Sequence, residues 1–136
     1  MRTVSRARRY VLPGAVAEAL ADIFAVDMRA IEAVTVIEHS RLVRWHGPHV
    51  VATTRRGTIH VRDGGARLAR DLDLLLHEYF HVLRQWNTGE LTAGRYVREL
   101  LARGYARNRY EMAARAFARH NVARLCALLN ERAAPR

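Results

Sequence analysis

Two histidines four residues apart, with a glutamate directly after the first, form the HExxH run His77-Glu78-Tyr79-Phe80-His81 in a chain of 136 residues. On a helix, residues at that spacing share a face, so both imidazoles can reach one metal ion. Neutral imidazole suits zinc, and two such ligands leave room for a third protein ligand and a water. Glu78 stands where its carboxylate can take the proton from that zinc-bound water as it attacks a carbonyl carbon. With seven histidines and eight glutamates in the chain, chance placement yields an HExxH about 2% of the time. The pair therefore carries weight, and a third ligand would decide it.

A metzincin would carry Gly three residues after the second histidine and His six after it. Arg84 and Asn87 stand there, which excludes that class. A glutamate from a later helix would complete a His-His-Glu set, and Glu90, Glu99 and Glu111 are the candidates. Glu90 falls in a turn, and Glu99 is followed by Leu100 and Leu101. Glu111 opens the last long helix ahead of Ala113 and Ala114, small residues that permit close helix approach. Its competing use is to complement its helix dipole or to pair with Arg115. Tyr110, next to Glu111, could stabilise an oxyanion, as could Tyr96 and Tyr105; the competing use of each is packing.

These side chains need elements to hold them. Residues 15–24 place Val16, Leu20, Ile23 and Phe24 on one face, the pattern of an amphipathic helix. Residues 33–38 are short and β-branched, and 50–54 and 58–61 are two further short strands joined by a turn at Arg55-Arg56-Gly57. Residues 41–48, with Gly47-Pro48, read as a loop. Asp63-Gly64-Gly65 breaks the chain, and one helix is expected over 67–86, its leucines 72, 74, 75 and 76 supporting the motif. Two more follow, over 91–103 up to Gly104 and over 109–132. The order is an N-terminal helix, a small three-stranded sheet, the HExxH helix and two C-terminal helices: a single α+β domain over 1–136, with 1–12 a flexible basic arm. Cys126, among Leu125, Ala127 and Leu128, reads as a buried small residue.

Composition narrows the class of protein. Half the residues are apolar, enough for a core, and no stretch approaches the roughly 18–20 apolar residues of a membrane span. A lone cysteine excludes a disulfide scaffold and a Cys-based zinc finger. The net charge is +10, every basic residue being Arg. Such a balance suits acidic partners, but no nucleic-acid-binding signature accompanies it, which speaks against nucleic acid. The basic start runs into Pro13, Gly14, Glu18 and Asp22, which is not the pattern of a signal peptide.

The segment from His77 to Gln85 resembles the HExxHxxxQ run of minimal zincin-type metallopeptidases with a glutamate as third ligand. Among these, it is similar to the small domains associated with extracellular contractile injection systems and bacterial polymorphic toxins. Asn108-Arg109-Tyr110-Glu111 matches their Asn-x-Tyr-Glu segment, and Thr54-Arg55-Arg56-Gly57-Thr58-Ile59-His60 loosely matches an upstream strand. The resemblance covers residues 15–120 and implies a zincin-like (gluzincin-like) fold, with His77, His81 and Glu111 as zinc ligands and Glu78 as general base. It further implies a peptide or protein substrate, and a bacterial, effector- or toxin-associated setting, cytoplasmic or delivered by a dedicated secretion or injection system.

The chain departs from that pattern at Arg115, where many gluzincins carry an acid that orients a zinc-bound histidine. Asp71, Asp73 or Glu99 would have to take that part. The expected function is zinc-dependent peptide hydrolysis, with the substrate running beside residues 58–61 and Arg55, Arg56 and Arg62 drawing acidic stretches to it. The alternatives are an inactive zinc-stabilised interaction or effector module and, behind that, a basic nucleic-acid-binding protein in which HExxH is accidental.

Overall fold

A computed structural model describes residues 7–133. The α+β expectation holds, with more elements than the sequence suggested: seven α-helices, one π-helical turn and a four-stranded sheet among the described residues. Strands β1 (Arg8–Tyr10), β2 (Thr35–Glu38), β3 (Ala52–Arg55) and β4 (Thr58–Val61) lie in the order β1-β2-β4-β3. The central pair is parallel and both outer pairs are antiparallel. β4 is thus partnered on both sides, which corrects the expectation of a groove beside it. β1 and β3 are the edge strands, and β3 is the edge next to β4.

The period-two pattern of the strands shows which face is covered. Val36, Ile59 and Val61 point into the core, where α1 (Gly14–Phe24) supplies Leu20, Ile23 and Phe24. α5 (Leu72–Phe80) adds Leu75, Leu76 and Tyr79, and α7 (Arg109–Ala133) adds Ala118 and Leu125. Phe117 of α7 stacks on Phe24 and Phe80 with ring centroids 4.8 and 4.9 Å apart, joining the three helices. Short helices α2 (Met28–Glu32) and α3 (Arg41–Trp45) complete the sheet side. α3 occupies the stretch expected to be a loop, because the Ser40 hydroxyl accepts the Leu42 N–H and caps it. No helix among the described residues is long and apolar enough to cross a membrane.

The single helix expected over 67–86 is three pieces. Asp71 leaves helical geometry (φ −87°, ψ 89°). It ends α4 (Gly65–Arg70) and, with its side chain on Leu74 N–H at 3.1 Å, starts α5. An aspartate at this point offers the backbone a cap in place of helix continuation. After α5 the helix widens into the π-helical turn His81–Trp86, closed by Asn87 N–H on the Val82 carbonyl five residues back. α6 (Ala93–Arg107) runs past Gly104, which breaks it with φ 74°. Cys126, expected to be buried, is exposed on α7.

The expected flexible arm is in part a strand. Residues 1–6 lie outside the described residues, but Arg8–Tyr10 pairs with β2. Glu38 holds the junction: its buried carboxylate accepts the Gly65 N–H at 2.8 Å and pairs with Arg8, which together keep it below the usual carboxylate range. At Gly65 a Cβ would come within 2.1 Å of Tyr10 Cγ. Gly65→Ala is therefore expected to displace β1 and cost about 1–3 kcal/mol. Thermal denaturation should show a fall of about 3–10 °C in Tm.

Candidate metal centre

α5 is apolar on the side that meets the sheet and α7, and its other side carries the motif. His77 and His81, one turn apart, stand edge to face with ring centroids 4.7 Å apart and their Nε2 atoms 3.1 Å apart. The π-helical turn begins at His81, and Gln85, one turn on, lies against its ring. Gln85 Oε1 lies 2.6 Å from His81 Nδ1, while Gln85 Nε2 donates to the Tyr110 carbonyl at 3.0 Å. The second bond orients the amide, so its oxygen faces the ring and His81 carries its proton on Nδ1. In the neutral ring that leaves the Nε2 lone pair to ligate. Gln85 thus takes the orienting part that the sequence suggested for Asp71, Asp73 or Glu99. Asp71 caps α5, Asp73 is exposed, and Glu99 accepts the Arg109 N–H and pairs with Arg103.

Glu111 arrives from the first turn of α7. Asn108 precedes that helix, and its Oδ1 accepts the N–H groups of Tyr110 and Glu111, a cap that fixes the direction of the first turn. The Glu111 carboxylate is buried, 2.9 Å from His77 Nε2 through Oε2 and 3.4 Å from His81 Nε2 through Oε1. Tyr96 and Tyr105 of α6 donate their hydroxyls to the same two oxygens at 3.1 and 3.4 Å. Burial alone would raise this carboxyl, but hydrogen bonds from His77 and His81 outweigh it and hold the group far below the carboxylate range. Burial would likewise depress His81, and Glu111 overrides it and raises the imidazole. The Tyr105 phenol is pushed up to about 12 by burial and the adjoining carboxylate.

The three donor groups could hold a metal ion. Zinc-type bonds of about 2.0–2.1 Å in a tetrahedron place ligand atoms about 3.3 Å apart. The His77 and His81 nitrogens stand 3.1 Å apart, one Glu111 oxygen lies 2.9 Å from the first and the other Glu111 oxygen 3.4 Å from the second, separations close to that spacing. Of the three candidate third ligands, Glu111 is the one brought to the histidines; Glu90 is exposed in the turn before α6 and Glu99 faces Arg103 and Arg109.

Glu78 is 7% exposed, and burial pushes its carboxyl up against the pull of His81 and His77. No described protein group donates a hydrogen bond to it. The other buried carboxylates, Glu38 and Glu111, are both engaged.

Tyr110 turns its hydroxyl to the Glu90 carbonyl and to Arg109, away from the histidines. Tyr96 and Tyr105 are the tyrosines that reach the site. Arg115, in the position of the missing acid, ties α7 to the end of α6 through the Glu111 and Ala106 carbonyls. Of the remaining histidines, His60 pairs with Ser40 Oγ at 2.8 Å, and His39, His46, His49 and His120 stand outside the cluster. Trp45 is 88% exposed, while Trp86 packs back on β3. Compared with protein-family models, curated proteins and solved structures, the chain matches none.

His77→Ala, His81→Ala and Glu111→Ala should each abolish metal binding, and Gln85→Ala should weaken it about 10–100-fold, as read by competition with a chelating dye. The metal-free protein should also respond to pH in a fixed direction. His81 and Glu78 both titrate higher folded than unfolded, so the stability each contributes is complete below its unfolded value. That stability is lost as the pH rises through the folded value. As the pH rises above the ordinary imidazole value, the Tm of metal-free protein should fall. The increment added by zinc should grow over the same range, because the imidazoles must be neutral to ligate.

Proposed function

We propose that the chain is a zinc-dependent metallopeptidase of zincin type, with His77, His81 and Glu111 as ligands and Glu78 as general base. The observation that carries this reading is Glu78: a buried carboxylate beside the ligand triad that no described protein group engages. Only Asn108 Nδ2 is a buried side-chain polar atom without a partner among the described residues, so the Glu78 oxygens meet solvent rather than the fold, unlike those of Glu38. Two imidazoles and a carboxylate favour zinc over the hard, all-oxygen cations. When bound, zinc would supply Lewis-acid polarisation of a carbonyl and acidify a water.

The rest of the chemistry belongs to the chain. Glu78 takes the proton of the attacking water, its raised affinity for protons suiting a base that must hand the proton on to the leaving amine. Gln85 holds the His81 tautomer that leaves Nε2 free. Tyr96 and Tyr105 stand on the Glu111 carboxylate, close enough to the triad to donate to an oxyanion in place of Tyr110. The free edge of β3 supports a peptide as the substrate. It is tied to the segment after His81 twice, by Trp86 Nε1 on Thr54 Oγ1 and by the Gly57 N–H on Asn87 Oδ1, both at 3.0 Å. An extended peptide added to that edge lies alongside the motif.

One observation favours the inactive interaction module as a second reading: α6 buries no side chain and exposes Val97 and Leu101 on the helix that reaches the site. Glu78→Gln separates the two. It should keep zinc, since the ligands are intact, and lower peptide hydrolysis by about 10²–10⁴, measured with a diverse peptide library. Wild type and variant indistinguishable across the library would leave the interaction module.

A further inference from the structure

The β3–β4 hairpin determines which backbone groups face outward. Its two-residue turn, Arg56-Gly57, makes Arg55 and Thr58 the closing pair. Hydrogen-bonded pairs alternate along an antiparallel ladder, and the Arg62 N–H on the Val51 carbonyl at 2.9 Å keeps the same phase. Thr54, opposite Ile59, therefore falls in a non-hydrogen-bonded pair. Its N–H and C=O point off the sheet. They are the groups that an added strand would engage.

The Thr54 carbonyl is already occupied. Arg55 folds its guanidinium back over the edge, with Nη1 2.7 Å from the Thr54 oxygen and 3.3 Å from Thr53 Oγ1, and Nη2 3.5 Å from His46 Nε2. No carboxylate among the described residues pairs with it, in contrast to Arg8, Arg67, Arg103 and Arg132. Arg62, from the same expected trio, is committed to the Val50 and Gly47 carbonyls and holds the preceding loop. Arg55 is thus a guanidinium whose partners are neutral acceptors, and a charged acceptor would bind it about twice as strongly.

We propose that Arg55 gates the edge of β3 and selects extended peptides that carry a carboxylate. Its Nη1–H stands in for the N–H of an incoming strand. A substrate Asp or Glu placed beside it draws the guanidinium away, and the uncovered Thr54 carbonyl accepts the peptide N–H. Acidic substrates thereby open their own binding edge, while neutral ones must displace Arg55 without compensation. The choice of substrate class rests on the peptidase reading; the edge mechanism itself is tested by binding alone.

The test uses the full chain as zinc-loaded, isotope-labelled Glu78→Gln protein. It is titrated with short neutral β-prone peptides in which a single Glu is walked from position to position, and binding is read at the Thr54 amide. One Glu position should improve affinity about tenfold over its Gln counterpart, the difference between a charge-assisted and a neutral hydrogen bond. Adding Arg55→Gln should remove that preference and tighten the neutral peptide, whereas Arg55→Lys should keep part of the preference. A Glu effect independent of position would reflect only attraction to a +10 chain and would overturn the proposal. So would a preference unchanged by Arg55→Gln, or an unmoved Thr54 amide. Hydrolysis by the parent chain is scored separately. Binding as expected without turnover would sink the peptidase reading alone, and turnover with an Arg55-independent preference would sink the gate alone.

Discussion

Placing the Glu111 carboxylate out of water beside two imidazoles is costly unless every lone pair is met, and much of the C-terminal half is arranged to meet them. Asn108 caps α7 so that its first turn points the carboxylate at the histidines. Tyr96 and Tyr105 come from a separate helix to cover the same oxygens. Gln85, fixed by the Tyr110 carbonyl, sets the tautomer of His81 and links the motif helix to α7 a second time. Phe117 then packs three helices together behind the polar cluster. The apolar contacts give this assembly its stability, and the carboxylate dictates which helix faces must meet.

The change of helix type at His81 belongs to the same arrangement. A regular α-helix through residues 81–86 would rotate Trp86 relative to the histidines by the extra residue that a π-turn absorbs. Gln85, four residues on, meets His81 as helical neighbours do, while Trp86 and Asn87 reach the β3–β4 hairpin beyond the wider turn. One irregular turn therefore connects the candidate metal centre to the strand edge.

The histidine pair and Glu111 were legible because they are short-range patterns: two histidines at helical spacing, and a glutamate opening a long helix ahead of small residues. The strands at 33–38, 50–54 and 58–61 were legible from their β-branched residues; the structure shortens the first to 35–38, shifts the second to 52–55 and keeps the third as expected. What the sequence hid depends on partners distant along the chain. Arg8–Tyr10 carries no strong strand signal and is a strand because Glu38, about thirty residues on, anchors it. The break at Asp71 was hidden by the leucine run on its C-terminal side, whose helical period masks a single capping residue. Tyr110 was chosen over Tyr96 and Tyr105 by adjacency to Glu111, yet neighbours on a helix point in different directions, and the hydroxyls that arrive come from α6.

α6 is unusual in the fold for having no buried side chain. Burial ordinarily sets how often a helix opens locally, and a segment without it lies at the low end of the native opening scale. What restrains α6 is polar: two phenol hydroxyls on Glu111, and Glu99 on the Arg109 N–H. Amide protons of Ala93–Arg107 should then exchange with solvent well before those of α5 or α7, and a protease in limiting amount should nick the chain there first. The order of this helix and the electron density on one carboxylate are a single linked quantity, so whatever draws on Glu111 will be felt along α6.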